Sequence, residues 1–161
     1  MFNSLGERSH SGGLPGLLLR LFLRFFQFVL ALTVAGLYGV DLHRAHQVGV
    51  YYDGKWMFAE VMAGASAITC LVYFLPFIKS YWFFAWDLIL FILWTALFGI
   101  FAKIYIPARA GSDAGIQRMK NAVWIDLANM LLWLVTAVYG AVIWKMNRGS
   151  GRTLHTGRAQ V

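Results

Sequence analysis

The stretch Ser80–Ala102, SYWFFAWDLILFILWTALFGIFA, decides the fold class. Its one charged residue is Asp87, close to its start, and everything after Asp87 is uncharged. Roughly 20 apolar residues at about 1.5 Å each cross the ~30 Å hydrocarbon core of a bilayer. Lipid offers the backbone no hydrogen-bond partners, so only a helix or a closed barrel can span it, and this stretch lacks the alternation of a barrel strand. The stretch therefore predicts a transmembrane helix.

Three further segments read the same way. Leu21–Val40 carries only Arg24, Trp56–Ile78 only Glu60 and Asn121–Trp144 only Asp126. The reading is an all-α integral membrane protein, a four-transmembrane-helix bundle with helices at about 21–41, 56–78, 80–105 and 121–145. Composition agrees: 60% of the 161 residues are hydrophobic and 13% charged, against about 25% charged in a soluble domain. Lys and Arg outnumber Asp and Glu 14 to 7. They flank apolar runs instead of clustering on a polar surface, which argues against a nucleic-acid partner.

Short connections join the segments: His43–Lys55, with Gly49, Asp53 and Gly54; a tight turn at Pro76–Lys79; and Pro107–Lys120, with Gly111, Asp113 and Gly115. Residues 1–19 and 147–161 have the Gly/Ser/Arg make-up of flexible tails around a membrane domain at 20–146. Arg20–Gly36 could be mistaken for a signal peptide, but its apolar core is too long and follows an extended polar tail. Basic residues number eight on the side of the two tails and the second turn, against six on the other side. This is a small bias toward both termini in the cytoplasm. Trp56, Trp82, Trp86, Trp124 and Trp144 fall at segment ends with Tyr51, Tyr52, Tyr81 and Tyr105, as aromatic rings at the headgroup level do.

Trp94 and Trp133 instead lie inside their segments and close a repeated phrase. Asp87-Leu88-Ile89-Leu90-Phe91-Ile92-Leu93-Trp94 is matched by Asp126-Leu127-Ala128-Asn129-Met130-Leu131-Leu132-Trp133. Acid and indole are two turns apart and so share a helix face. On the fourth helix this face continues through Asn129, Thr136, Ala137 and Gly140, a polar and small-residue stripe suited to close helix contact. Glu60, Ala63, Gly64, Ala67 and Cys70 make a similar stripe on the second helix, and Ala35, Gly36 and Gly39 on the first. Because successive helices run in opposite directions, Arg24 and Asp87 come to one membrane face, where an ion pair is expected since an unpaired charge there is costly. Glu60 and Asp126 come to the other, on a rim with Lys103, Arg118 and Lys120. Helix packing and interface anchoring explain Arg24, Glu60, Asp87, Trp94, Asp126, Asn129 and Trp133 better than a proton or ion path, which would want its acids near mid-membrane.

Chemistry beyond packing is sparse. The single Cys70 excludes an intramolecular disulfide or a CxxC site. His43 and His46, an HxxH with Asp41 nearby, read as surface histidines of a polar loop, since no further cluster completes a metal site. The glycines form no phosphate loop, and Ser66 and Thr69 lie in an apolar run without a nearby base. The expectation is no enzyme, no cofactor and no metal.

The order and spacing of several phrases resemble the fungal branch of the MARVEL-domain (membrane-associating domain) family. They are Ala31-Leu32-Thr33-Val34-Ala35-Gly36-Leu37-Tyr38-Gly39; Lys55-Trp56 with Ala59-Glu60; Trp86-Asp87-Leu88 with Leu93-Trp94, Ala96 and Phe98-Gly99; and Trp124, Asp126-Leu127 and Asn129 with Leu132-Trp133. Together they cover Arg20–Trp144. The resemblance implies an M-shaped four-helix domain with both termini cytoplasmic, in the plasma membrane or endomembrane vesicles. It also implies a non-enzymatic role in membrane apposition, vesicle trafficking or microdomain organisation, in sterol-rich membrane. The outer-loop cysteine pairs of many animal members are absent, so no disulfide-fixed junction surface is implied. Claudin-like proteins and tetraspanins also need paired extracellular cysteines.

Two classes of function stay open. One is a scaffold packing against lipid, a second copy or other membrane proteins, with its basic tails on anionic lipid. The other is a small oligomeric transporter or channel using Glu60, Asp87 and Asp126.

Overall fold

The computed structural model describes residues 13–49, 54–74, 84–109 and 111–151. They form four helices: α1 (Gly13–Gln47), α2 (Gly54–Tyr73), α3 (Phe84–Tyr105) and α4 (Ala114–Gly151). Each is long and apolar enough to cross a membrane, and the chain is an all-α four-helix bundle.

Local chemistry sets the helix ends. Pro15 lies in the first turn of α1, where a missing N–H costs nothing. Gly49 follows α1 with φ at 67°, the left-handed conformation that glycine adopts without strain. Its N–H is bonded to the His46 carbonyl at 3.2 Å. α4 opens on a side-chain cap. Asp113 Oδ1 accepts from the backbone N–H of Gly115 at 2.7 Å and of Ile116 at 3.3 Å.

Several of these ends differ from the sequence expectations. The polar residues 114–120, expected as loop, extend α4 toward its amino end because the Asp113 cap makes helix favourable beyond the apolar segment. His43 and His46 belong to the last turns of α1 instead of a loop, and His43 Nε2 lies 3.0 Å from Gln47 Nε2, one turn on. α2 stops at Tyr73, ahead of Pro76, which lacks a donor and disfavours helical geometry in the residue before it. The expected Pro76–Lys79 turn, residues 1–12 of the amino tail and 152–161 of the carboxyl tail lie outside the described residues, as do Tyr51, Tyr52, Tyr81 and Trp82. Residues 13–19 and 147–151, also expected as tail, are helical.

α1 has 35 residues and α4 has 38. At about 1.5 Å per residue each is roughly 50 Å long or more, well beyond a hydrocarbon core of ~30 Å. Neighbours in sequence are neighbours in space: α1 packs on α2 and α3 on α4 over long contacts, α1 and α4 close the ring, and of these four neighbouring pairs α2 and α3 touch least. Buried positions recur at alternating three- and four-residue steps on every helix. They are Arg24, Gln27, Ala31, Val34 and Tyr38 on α1; Ala59, Met62, Ser66 and Thr69 on α2; Asp87, Leu90, Trp94, Leu97 and Phe101 on α3; and Met119, Ala122, Asp126, Asn129, Trp133 and Thr136 on α4. Three-four spacing is the pattern of a helix seam facing its neighbours in a bundle. The outer faces expose large apolar side chains, among them Phe22, Phe25, Ile68, Ile92 and Val138.

Not all of the expected small-residue stripes face inward. Gly36 and Gly64 point out of the bundle, with nothing within 4 Å of an added Cβ, because the inward seams run through Val34 and Tyr38 on α1 and through Met62 and Ser66 on α2. Gly140 does mediate contact: a Cβ there would lie 2.9 Å from Phe84 Cβ. Gly140→Ala is accordingly expected to push α3 from α4 and destabilise the bundle by about 1–3 kcal/mol. Gly36→Ala, which meets no neighbour, should be neutral or stabilising by up to about 1 kcal/mol. Thermal unfolding of the two variants in detergent measures the difference.

Candidate functional site

Elementary electrostatics makes the bundle interior unusual. A charge inside a membrane domain must find a partner within the protein, and here Arg24, Asp87 and Asp126 are all buried. Asp87 keeps its place in the first turn of α3, and both acids face into the bundle because the inward seams of α3 and α4 pass through them.

The structure arranges these groups in two polar layers, both using α1. In the first layer, Arg24 forms a buried ion pair with Asp87 of α3. Its guanidinium also donates to Gln27 Oε1 at 2.9 Å, and Gln27 Nε2 donates to Thr136 Oγ1 of α4 at 3.3 Å. The same guanidinium lies 4.3 Å from the Tyr73 ring centroid and 5.0 Å from that of Trp133, within cation–π range. One arginine on α1 thus touches α2, α3 and α4.

In the second layer the Tyr38 hydroxyl donates to Asp126 Oδ2 at 2.6 Å. Tyr38 and Arg24 are four turns apart on α1, about 21 Å along a helix, so the two layers lie toward opposite ends of the bundle. An aromatic group covers the second: Tyr38, Trp56, Phe101 and Tyr105 pack with ring centroids 4.5 to 6.4 Å apart. Between the layers, Trp94 Nε1 of α3 donates to Ser66 Oγ of α2 at 2.8 Å. Trp86 Nε1 donates to Thr69 Oγ1 at 3.2 Å, joining the same two helices where their backbones are least in contact.

The repeated phrase has two different outcomes. Trp94 and Trp133 are both fully buried, but only the first has its N–H satisfied. Among the described residues Trp133 Nε1, both side-chain polar atoms of Asn129, Asp126 Oδ1 and Asp87 Oδ1 have no hydrogen-bond partner within the protein.

The expected rim of Glu60 and Asp126 with Lys103, Arg118 and Lys120 does not assemble as such. Arg118 pairs with Asp41 of α1, because α4 begins early enough to carry it to the end of α1. Glu60 lies against α1, its Oε1 3.2 Å from where a Gly39 Cβ would stand. The hydrogen bonds of Gln27, Tyr38 and Ser66 and the Asp41–Arg118 pair are contacts that the sequence reading left out. The signal for two of them is present, since Gln27 and Tyr38 continue the three-four spacing that begins at Arg24.

A pocket of about 20 Å³ opens beside the first layer and is lined by Arg20, Arg24, Asp87, Thr136 and Tyr139 among others. It has room for about one water molecule. Arg20 sits over the Tyr139 ring at its edge, 5.3 Å from the centroid. Among the described residues no group of three His, Cys, Asp or Glu side chains could hold a metal ion. Comparison with family models, curated proteins and solved structures finds no match to this chain.

Proposed function

We propose that this chain is a non-enzymatic membrane-organising protein of the MARVEL type, acting in microdomain organisation or vesicle trafficking with both termini in the cytoplasm. One observation carries the reading. The polar groups of the spans turn inward onto one another while the outer faces are apolar, so most of the accessible surface is suited to lipid and to other membrane helices. The described loops are too short to fold into a separate catalytic or binding domain. A channel built on Glu60, Asp87 and Asp126 is less well supported, because Asp87 is spent on Arg24, Asp126 is about 21 Å away at the other layer, and Glu60 lies on the α1–α2 contact.

Quantitative imaging of a fluorescent fusion in the source cell tests the proposal. The expected result is a patchy membrane distribution that disperses on sterol extraction. A uniform signal unchanged by extraction contradicts it.

A further inference from the structure

We infer that the polar face of α4 holds a file of bound water giving Asp126 proton exchange with one side of the membrane, and that the aromatic group at Tyr38, Trp56, Phe101 and Tyr105 plugs the other. This goes beyond the organising role and does not depend on it.

Buried polar atoms without a protein partner are rare, and those that occur are usually satisfied by internal water. Among the described residues Glu60 Oε1 and Arg118 Nε are such atoms outside the α4 seam, while four others follow one line on α4: Asp126 Oδ1, Asn129 Oδ1 and Nδ2, and Trp133 Nε1, at three- and four-residue steps. Such steps put the three side chains on one helix face, with Cβ atoms roughly 5–6 Å apart, so that their polar atoms are neighbours along the seam. Beyond Trp133 the line reaches Thr136 and Asp87, and both line the pocket beside Arg20 and Tyr139. Asp87 is buried and its Oδ1 has no hydrogen-bond partner within the protein. That end therefore has an opening with room for water and an acceptor at its base.

The opposite end differs in kind. Asp126 is fully buried and bonded to Tyr38 from α1, whose ring packs on Phe101 of α3 and Trp56 of α2, with Tyr105 against both, in tilted, edge-on and stacked contacts. The titratable group bonded to Asp126 is Tyr38; Tyr105 belongs to the same aromatic group, and Glu60 lies against α1 at Gly39. The file's polar atoms are carboxyl, amide and indole groups that bond water singly, so water and protons are its proposed cargo. The transfer step is simple: the Asp126 carboxylate takes a proton from a hydronium in the file, an O–H bond forming at Oδ1 as one breaks on the water, whose oxygen keeps the electron pair. Release is the reverse.

The repeated tryptophans supply an internal control. In ¹⁵N-indole NMR of the protein in lipid nanodiscs transferred to D₂O, Trp133 N–H is expected to exchange at least about tenfold faster than the hydrogen-bonded Trp94 N–H. Trp133→Phe and Trp94→Phe identify the two signals. Equal protection of the two overturns the file. Proteoliposomes with an entrapped pH dye, under a valinomycin-clamped potential, test the plug. The unaltered protein should be as tight as protein-free vesicles, Phe101→Ala should leak protons, and adding Asn129→Leu to Phe101→Ala should restore tightness. A leaking unaltered protein, a tight Phe101→Ala variant, or a leak that survives Asn129→Leu each overturns the proposal. If Phe101→Ala fails to fold, the exchange measurement on the unaltered chain still decides it.

Discussion

Arg24→Leu is expected to destabilise the bundle by about 3–5 kcal/mol, the largest effect of any single substitution considered, because it leaves the Asp87 carboxylate buried without its counter-charge. The same replacement removes the cation over the Tyr73 and Trp133 rings and the donor to Gln27. Asp87→Leu should cost a similar amount for the converse reason. Removing both charges together should cost much less than the sum, since the penalty of each single variant is mostly the unpaired partner. Reversible unfolding in mixed micelles reads all three. The charge-swapped double variant, Arg24→Asp with Asp87→Arg, is a stricter form of the test, and recovery of part of the lost stability is the expected result. Two single variants whose costs simply add would mean that the pair contributes nothing.

The two interior tryptophans should give the next largest effects, and they should differ in a specific way. Trp94→Ala and Trp133→Ala each open a cavity where a fully buried indole was. Each is expected to cost about 3 kcal/mol, the lower end of the range for such truncations. The lower end applies because the unfolded reference in a bilayer is itself surrounded by hydrocarbon, leaving lost packing as the main cost. Substitution by Phe separates shape from hydrogen bonding. Trp94→Phe strands the buried Ser66 hydroxyl and should cost about 1–3 kcal/mol. Trp133→Phe breaks no protein hydrogen bond and removes a donor that has no protein partner, so its cost should be the smaller of the two. Comparable penalties for both Phe variants would contradict the assignment of their environments.

Much of this fold is legible in the sequence because the bilayer imposes length. A run such as Ser80–Ala102 can satisfy its backbone only as a helix, and four such runs leave little choice of architecture. The inward faces are harder to read, because helices apolar all round show little contrast between lipid and interior. Contrast survives only where a seam carries polar, small or Trp residues, as at Asp87, Trp94, Asp126 and Asn129, and these are the positions that the repeated phrase picks out. The glycines mislead for the same reason. Gly36 and Gly64 look like contact residues by composition, yet the three-four spacing through Val34, Tyr38, Met62 and Ser66 turns them outward. The helix ends outside the apolar runs depend on caps, and Asp113, which starts α4 before Arg118 and so permits the Asp41–Arg118 pair, carries no hydropathy signal. Whether a buried polar atom finds a partner is the least legible property of all. Trp94 and Trp133 close the same phrase, and only their neighbours on other helices distinguish them.

The central claim is that four spans cross the membrane with their polar seam turned inward, and side-specific cysteine labelling tests it most directly. Single cysteines at Val48, Ser112, Ser4 and Thr153 are exposed in turn to a membrane-impermeant maleimide in sealed, uniformly oriented vesicles. The native Cys70, which is fully buried, serves as an internal reference. Four spans require Val48→Cys and Ser112→Cys to label from one side and Ser4→Cys and Thr153→Cys from the other, with Cys70 silent until the protein is unfolded. Labelling of a terminal position from the same side as Ser112→Cys, or of Cys70 in the folded protein, would contradict the account.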